Sequence, residues 1–277
     1  MTTTAIVTGA TQGLGRALVA GLANRVGAEG NVYLTGRDPE RVALAARGLH
    51  AEGLKVWAER VDVRSTTAVN RFAALVAERH GQVNLVISNA AARITPELPQ
   101  AEQVATFLDT NNLGTTRMIR AFAPLLARGG RYLIVASAFG SLRNLPQQLH
   151  ERFDTAALSL DDLDCQMTHF CEAVRHGRAL AEGWPEWINI PSKVGQVAAM
   201  RILAREQQNH ANEDGRFVAA VCPGLVDTEA SRPWFADMSQ AQTPDEAAAD
   251  ILALACDPVE RTFYGELIQH RHVIPWN

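Results

Sequence analysis

Thr8-Gly9-Ala10-Thr11-Gln12-Gly13-Leu14-Gly15 is a stretch suited to meeting a phosphate. Glycines at 9, 13 and 15 let the backbone turn sharply and approach a pyrophosphate closely, and the helix pattern that follows offers unpaired N–H groups and the positive end of a dipole. The spacing is Gly-x-x-x-Gly-x-Gly, so the dinucleotide fingerprint with one residue between its first two glycines is only partly matched. Further on, Gly36-Arg37 stands where an acidic residue would bind a free ribose hydroxyl. A guanidinium there can pair a 2′-phosphate and stack on adenine, which favours NADP(H). Other polar residues close apolar runs: Asp62-Val63, Ser88-Asn89-Ala90-Ala91, Ser137, and Pro223-Gly224-Leu225-Val226-Asp227-Thr228.

These positions need a frame. Thr4 to Val7 reads as a buried parallel strand, and Leu14, Ala17, Leu18, Gly21 and Leu22 keep helical spacing behind it. Strands are expected at Asn31 to Thr35, Lys55 to Val61, Val83 to Ile87, Tyr132 to Ala136, Phe217 to Val221 and Thr262 to Ile268. Helices are expected from Pro39 through Leu44 to about Ala51, Thr66 to Arg79, Glu102 to Leu126, Pro191 to Arg205 and Pro244 to Ala255. This alternation predicts an α/β fold, a doubly wound parallel sheet of about seven strands of the Rossmann type, with ligands bound beyond the carboxyl ends of the strands. Between 141 and 188 the alternation stops in favour of a polar stretch with helical patches at Leu145 to Phe153 and Leu160 to Ala181. We read residues 1–277 as one domain, with 141–188 a helical insertion over the substrate pocket.

Composition narrows the function. Of 277 residues, 47% are hydrophobic and 20% charged, an ordinary globular balance with enough apolar side chains for a sizeable core. The net charge of −4, without a long basic run, speaks against a nucleic-acid or anionic-membrane partner and for a small-molecule substrate. The four cysteines lack paired ligand spacing, and the chain enters a strand with no signal-peptide pattern, so a cytoplasmic setting is expected.

In order along the chain, six segments resemble the short-chain dehydrogenase/reductase family. Within it, Thr110-Asn111-Asn112-Leu113-Gly114-Thr115, the long insertion and Glu182-Gly183-Trp184-Pro185 are similar to the carbonyl reductases. The resemblance implies that Gly9, Gly13 and Gly15 line the diphosphate, with Thr11, Gln12 and Leu14 also binding the cofactor. It also places Asp62 and Val63 at the adenine, Asn89 and Ala90 at its ribose, and Pro223, Gly224, Val226 and Thr228 beside the nicotinamide. Ala91 departs from the family's usual glycine, which is tolerable where the backbone has negative φ. The family's catalytic set is Asn, Ser, Tyr and Lys. Asn111, Ser137 and Lys193 match three of them: Asn111 for a proton-relay water, Ser137 for the substrate carbonyl, and Lys193 for the nicotinamide ribose.

The tyrosine is the exception. It is expected four residues before the lysine, where this chain has Asn189, and Tyr33, Tyr132 and Tyr264 are assigned to strands. An asparagine amide donates a hydrogen bond but delivers no proton, and a positioned acid contributes ~10²–10⁴-fold. Three routes stay open at this point. An insertion residue (His150, Asp154, Asp161, Asp162, Asp164 or His169) supplies the proton; or the acceptor needs none, as with an iminium carbon; or the site serves a non-redox cyclisation or isomerisation, or a non-catalytic NADP(H) sensor. Cys165, His169 and Cys171 suggest a metal only superficially, since no fourth ligand presents itself, and no metal is expected. Trp184, Trp187 and Trp234 are candidates for a hydrophobic pocket wall. Because the insertion of a carbonyl reductase covers the helices through which family dimers pack, a monomer is expected.

Overall fold

The computed structural model describes residues 2–277. Eight strands run in the order β3-β2-β1-β4-β5-β6-β7-β8: β1 (Thr4–Val7), β2 (Asn31–Gly36), β3 (Trp57–Arg60), β4 (Val83–Ser88), β5 (Leu126–Val135), β6 (Phe217–Val221), β7 (Leu267–Gln269) and β8 (His272–Ile274). All neighbours are parallel except β7 and β8. Strand order reverses beside β1, so the crevice that can take a dinucleotide opens between the ends of β1 and β4.

Helices α1 (Gly13–Val26), α2 (Pro39–Ala51) and α9 (Pro244–Cys256) cover one face, over a core that includes Leu18, Leu22, Leu34, Leu49 and Ile251. On the other face lie α3 (Thr66–His80), α4 (Gln100–Leu108), α5 (Gly114–Phe122), α6 (Leu160–Arg175) and α7 (Asn189–Glu206), over Phe72, Phe122, Tyr132, Met167 and Met200. A short α8 (Gln208–Asp214), without a sequence expectation, leads into β6.

The eight-stranded parallel-dominated sheet bears out the expected fold class and adds one strand. That strand returns antiparallel through His270 (φ 48°) and Arg271 (φ 61°), a two-residue hairpin turn whose positive φ values normally select Gly or Asn. Neither residue signals a turn, so the hairpin was invisible. The strand expected over Thr262 to Ile268 is shorter because Arg261–Phe263 forms a 3-10 turn and Gly265 takes φ 74°, leaving Tyr264 ahead of β7. β5 starts at Leu126, well before Tyr132, and absorbs Gly129-Gly130 through a register irregularity against β4.

The helix expected over Glu102 to Leu126 is broken into four pieces. Between α4 and α5 the backbone widens into a π turn at Asp109–Leu113, and a 3-10 turn ends the run at Ala123–Leu125. The patch at Leu145 to Phe153 is 3-10 over Gln147–Phe153, and α6 stops at Arg175 because Gly177 takes a left-handed φ of 68°. Across the insertion, α6 lies against α4 and α7. Its buried stripe of Leu163, Met167 and Phe170 faces the core.

Candidate active site

At the carboxyl edge of the sheet, β1 and β4 are laced together. Thr8 Oγ1 accepts from the amides of Asn89 (2.9 Å) and Ala90 (3.0 Å), and Asn89 Nδ2 donates to the carbonyls of Thr8 (2.9 Å) and Gly9 (3.2 Å). Glycine is compulsory here. A β-carbon on Gly9, whose φ is +64°, would stand 2.6 Å from Ala90 Cα, and one on Gly15 would stand 2.4 Å from the Gly9 carbonyl oxygen. Gln12 caps α1 without a side-chain hydrogen bond, whereas α2, α3, α6 and α9 are capped by Asp38, Ser65, Ser159 and Thr243. The opening amides of α1 therefore remain available to an anion. Among the described residues, non-glycine positive φ occurs at His270 and Arg271, so the methyl of Ala91 is accommodated.

Arginines gather at the end of β2. Gly36 admits the turn, since a β-carbon there would stand 2.7 Å from Thr11 Cγ2. Arg37 is exposed, and Arg60 Nε donates to its carbonyl (3.2 Å). Arg41 donates to the side chain of Gln12. Asp38 turns its carboxylate onto the amides of Glu40 and Arg41 at the start of α2. Arg41 escaped the sequence reading, although its position four residues after Arg37 on an opening helix was the available signal.

The other expected cofactor residues border the same crevice. Asp62 is gripped by Arg64 (3.1 and 2.8 Å), a bidentate bond that holds its carboxyl below the usual range. Val63 packs so closely on Gly114 that a β-carbon there would stand 2.8 Å from Val63 Cγ2. From the far side, a β-carbon on Gly13 (φ +50°) would meet Thr228 Cγ2 at 3.4 Å. Gly224 takes φ +75°, Gln242 donates to the Pro223 carbonyl (3.3 Å), and Val226 bridges to Gln242. Leu14 is half-buried against the α1 face of the sheet.

The π turn arranges two asparagines in different directions. Asn111, buried, accepts the amide of Ala92 on Oδ1 at 2.7 Å, tying it to the loop after β4. Asn112 turns to α7 and holds Ser192. Ser137 follows β5 and caps the 3-10 turn Ala138–Gly140, accepting the Phe139 amide at 3.3 Å. Gly140 lets that turn lie on α7, for a β-carbon there would stand 2.9 Å from the Lys193 carbonyl oxygen.

Asn189 is the first residue of α7 and half-buried, and among the described residues its amide makes no hydrogen bond. One helical turn on, Lys193 Nζ donates to Gln196 Oε1 at 2.8 Å. Burial pulls the Lys193 ammonium down to about 8, against which the nearby Cys222 acts. Cys222 Sγ itself accepts the Ala138 amide at 3.2 Å.

The remaining candidates are engaged elsewhere. Tyr33 Oη pairs with His80 Nε2 (2.8 Å) and Tyr264 Oη donates to the Ala204 carbonyl (2.7 Å), while Tyr132 is wholly buried. His150 bonds the Leu145 carbonyl (3.0 Å), Asp154 the Ala156 amide (3.0 Å) and His169 the Glu182 carboxylate (2.9 Å). Asp161 and Asp164 pair with Arg120 of α5 (2.5 and 2.9 Å), and Asp162 completes the capping box of α6.

Of the three tryptophans, Trp184 belongs to the core between Phe153 and Phe170. Trp187 and Trp234 meet (centroids 5.6 Å), and Phe139 stands edge-on to Trp187 (5.3 Å). Each of these three rings comes from a segment that also carries an expected site residue: Ser137, Asn189 or Thr228. Phe139 and Trp234 remain 37% and 38% exposed, an aromatic surface free for a ligand. Among the described residues no helix is long and apolar enough to cross a membrane.

The sequence profile of a family described as short chain dehydrogenase matches residues 3–148. Carbonyl reductase (NADPH) 3 of Rattus norvegicus is 30% identical, and carbonyl reductase (NADPH) 1 of Mus musculus 28% identical, each match covering 98% of both chains. Among solved structures, menthone neomenthol reductase from Mentha piperita superimposes with a TM-score of 0.79 at 20% identity, covering 98% of this chain and 100% of that one.

Proposed function

The chain belongs to the short-chain dehydrogenase family and is carbonyl-reductase-like along its length, and we propose that it is an NADP(H)-dependent reductase working without a phenolic acid. Asn189 takes the place of the family's tyrosine. The observation that carries this reading is the engagement of all three phenols in the fold, two by hydrogen bonds to His80 and Ala204 and one by complete burial. The two relatives described above are named for NADPH. The cluster of Arg37, Arg41 and Arg60 suits the 2′-phosphate, and the uncapped start of α1 suits the diphosphate.

When bound, NADPH would supply the hydride. Around it, Ser137 Oγ would hold the oxygen or nitrogen of the reducible group, Asn111 would order water beside it, and Lys193 would grip the ribose. Asn189 would donate a hydrogen bond to developing charge without releasing a proton. Losing a general acid of ~10²–10⁴-fold leaves simple ketone reduction about 3–5 kcal/mol short. The natural acceptor is therefore a cationic C=N group, an iminium carbon whose conversion to the neutral amine takes hydride alone, or a strongly activated C=O whose weakly basic alkoxide takes its proton from water. The engagement of His150, Asp154, Asp161, Asp162, Asp164 and His169 elsewhere supports this route over a substitute acid from the insertion. Phe139, Trp187 and Trp234 favour a bulky, flat or apolar substrate.

We also propose a monomer, because α6 packs against α4 and α7, and a cytoplasmic setting. Light scattering should return one 30.1 kDa chain.

The test is transfer of deuterium from C4-labelled NADPH into a panel of cyclic imines and activated ketones, followed by mass spectrometry of the products. Label appearing in imine products supports the reading. Cofactor that binds, with turnover of substrate and the label retained, points to a non-redox use of the site.

A further inference from the structure

Lys193 sits in a chain that uses arginine almost throughout: of 26 basic residues only Lys55 and Lys193 are lysines. Its ammonium bonds a residue that no sequence motif singled out. Gln196 lies three positions on along α7, is 2% exposed, and is flanked by Val194, Gly195, Val197, Ala198 and Ala199, all buried. A polar amide at such a position is costly unless a partner satisfies it. The partner is Lys193 Nζ, at 2.8 Å from Oε1.

Among the described residues no carboxylate is paired with this ammonium. The titratable group that faces it is the Cys222 thiol, past the end of β6. Around it the turn Ala138–Gly140 and the π-turn residues Asn111 and Asn112 contribute no charge. The amide oxygen of Gln196 is therefore the acceptor that stabilises a charged amine in this half-buried position, and a spacing of three residues fixes the direction in which the side chain extends.

We propose that Gln196 is a positioning residue for Lys193, its carbonyl oxygen keeping the amine charged and held along α7 until the nicotinamide ribose takes it. The ribose part of this statement rests on the function proposed above; the Lys193–Gln196 coupling does not. Where the proposed replacement of the tyrosine by Asn189 removes an acidic neighbour of the lysine, Gln196 supplies a neutral partner from the opposite direction along the helix.

Two lysines make a direct test practicable. The full chain carrying Lys55→Arg and labelled with ¹³C-lysine gives a single Lys193 Cε signal, whose pH titration in the cofactor-free protein reads the ionisation of that amine. In Gln196→Leu the midpoint should fall by roughly one pH unit, because burial then acts unopposed. In Gln196→Glu it should rise by a similar amount or more, because the acceptor becomes an anion. A merely structural glutamine would leave the midpoint of Gln196→Leu at the wild-type value, and that result overturns the proposal whatever Gln196→Glu does, since a new carboxylate raises the midpoint in either case. If Gln196→Leu fails to fold, Gln196→Met, which keeps the length of the side chain and removes the amide, gives the same reading. NADPH affinity, followed by quenching of tryptophan fluorescence, is measured separately on Lys193→Met. An affinity equal to wild type would count against the ribose role of Lys193 while leaving the titration result intact.

Discussion

Asn112 holds Ser192 with both ends of its amide: Nδ2 donates to the Ser192 carbonyl at 2.8 Å, and Oδ1 accepts from Ser192 Oγ at 2.8 Å. Both residues are buried, so this clasp fixes α7 against the π turn immediately beside Lys193. Asn112→Ala would leave the Ser192 hydroxyl without its partner in the core, while the Ser192 carbonyl keeps the backbone bond of the α7 ladder. A loss of about 1–3 kcal/mol of stability is expected, seen in urea unfolding as a lower midpoint. Ser192→Ala removes one bond together with its donor and should cost less.

Arg37 and Arg41 should set cofactor choice. Each charge-assisted bond to a 2′-phosphate is worth about 1.5–3 kcal/mol. Arg37→Ala and Arg41→Ala should each weaken NADPH binding by about 10–100-fold while leaving NADH nearly unchanged. Fluorescence titration of both cofactors against the three proteins checks this, and equal affinities in the wild type would sink it.

Asn189→Tyr should create or raise reduction of simple activated ketones by about 10²-fold, the low end of what a positioned acid contributes. The reaction on the natural acceptor should not improve. Steady-state rates on a ketone panel provide the measurement; strong wild-type activity that the substitution leaves unchanged would mean another group already delivers the proton.

Lys193→Met should change how stability depends on pH. The folded ionisation, near 8, lies below the ordinary lysine value of about 10.4. Below pH 8 both states are protonated and the cost of burying the charge is fully present. Between pH 8 and 10.4 the unfolded chain binds more protons, so wild-type stability rises with pH relative to the methionine variant. The difference between the two proteins should shift by on the order of 1–2 kcal/mol toward wild type between pH 7 and 10, the side chain being partly open to solvent. Thermal melts at intervals across that range read it directly; parallel curves would refute the assignment of that ionisation to Lys193.

The glycine turn and the strand ends it serves were legible because β-strands buried on both faces leave runs such as Val83 to Ile87 and Phe217 to Val221 that little else could form. The sheet's last strand was not, since a hairpin through His270 and Arg271 uses residues that rarely take positive φ. Trp184 and Trp187 are three positions apart and indistinguishable by type, yet one fills the core between Phe153 and Phe170 while the other meets Trp234 and Phe139. Only the path of the insertion decides between them. Gln196 and Arg41 were likewise hidden, because each acquires its role from a partner, Lys193 or Gln12, rather than from a spacing of its own.

In the vocabulary of crystal defects, the π turn at Asp109–Leu113 is a dislocation, one surplus residue threaded into an otherwise continuous rod. Each α-helical residue advances the phase by about 100°, so the defect sets the rotation of everything after it. It lets Asn111 face the loop after β4 while Asn112 faces α7, and it keeps Met118, Ile119 and Phe122 inward and Arg120 outward toward Asp161. Healing the defect by deleting a single residue there would yield a more regular helix and a misphased one, with every later side chain pointing about a quarter-turn away from its partner.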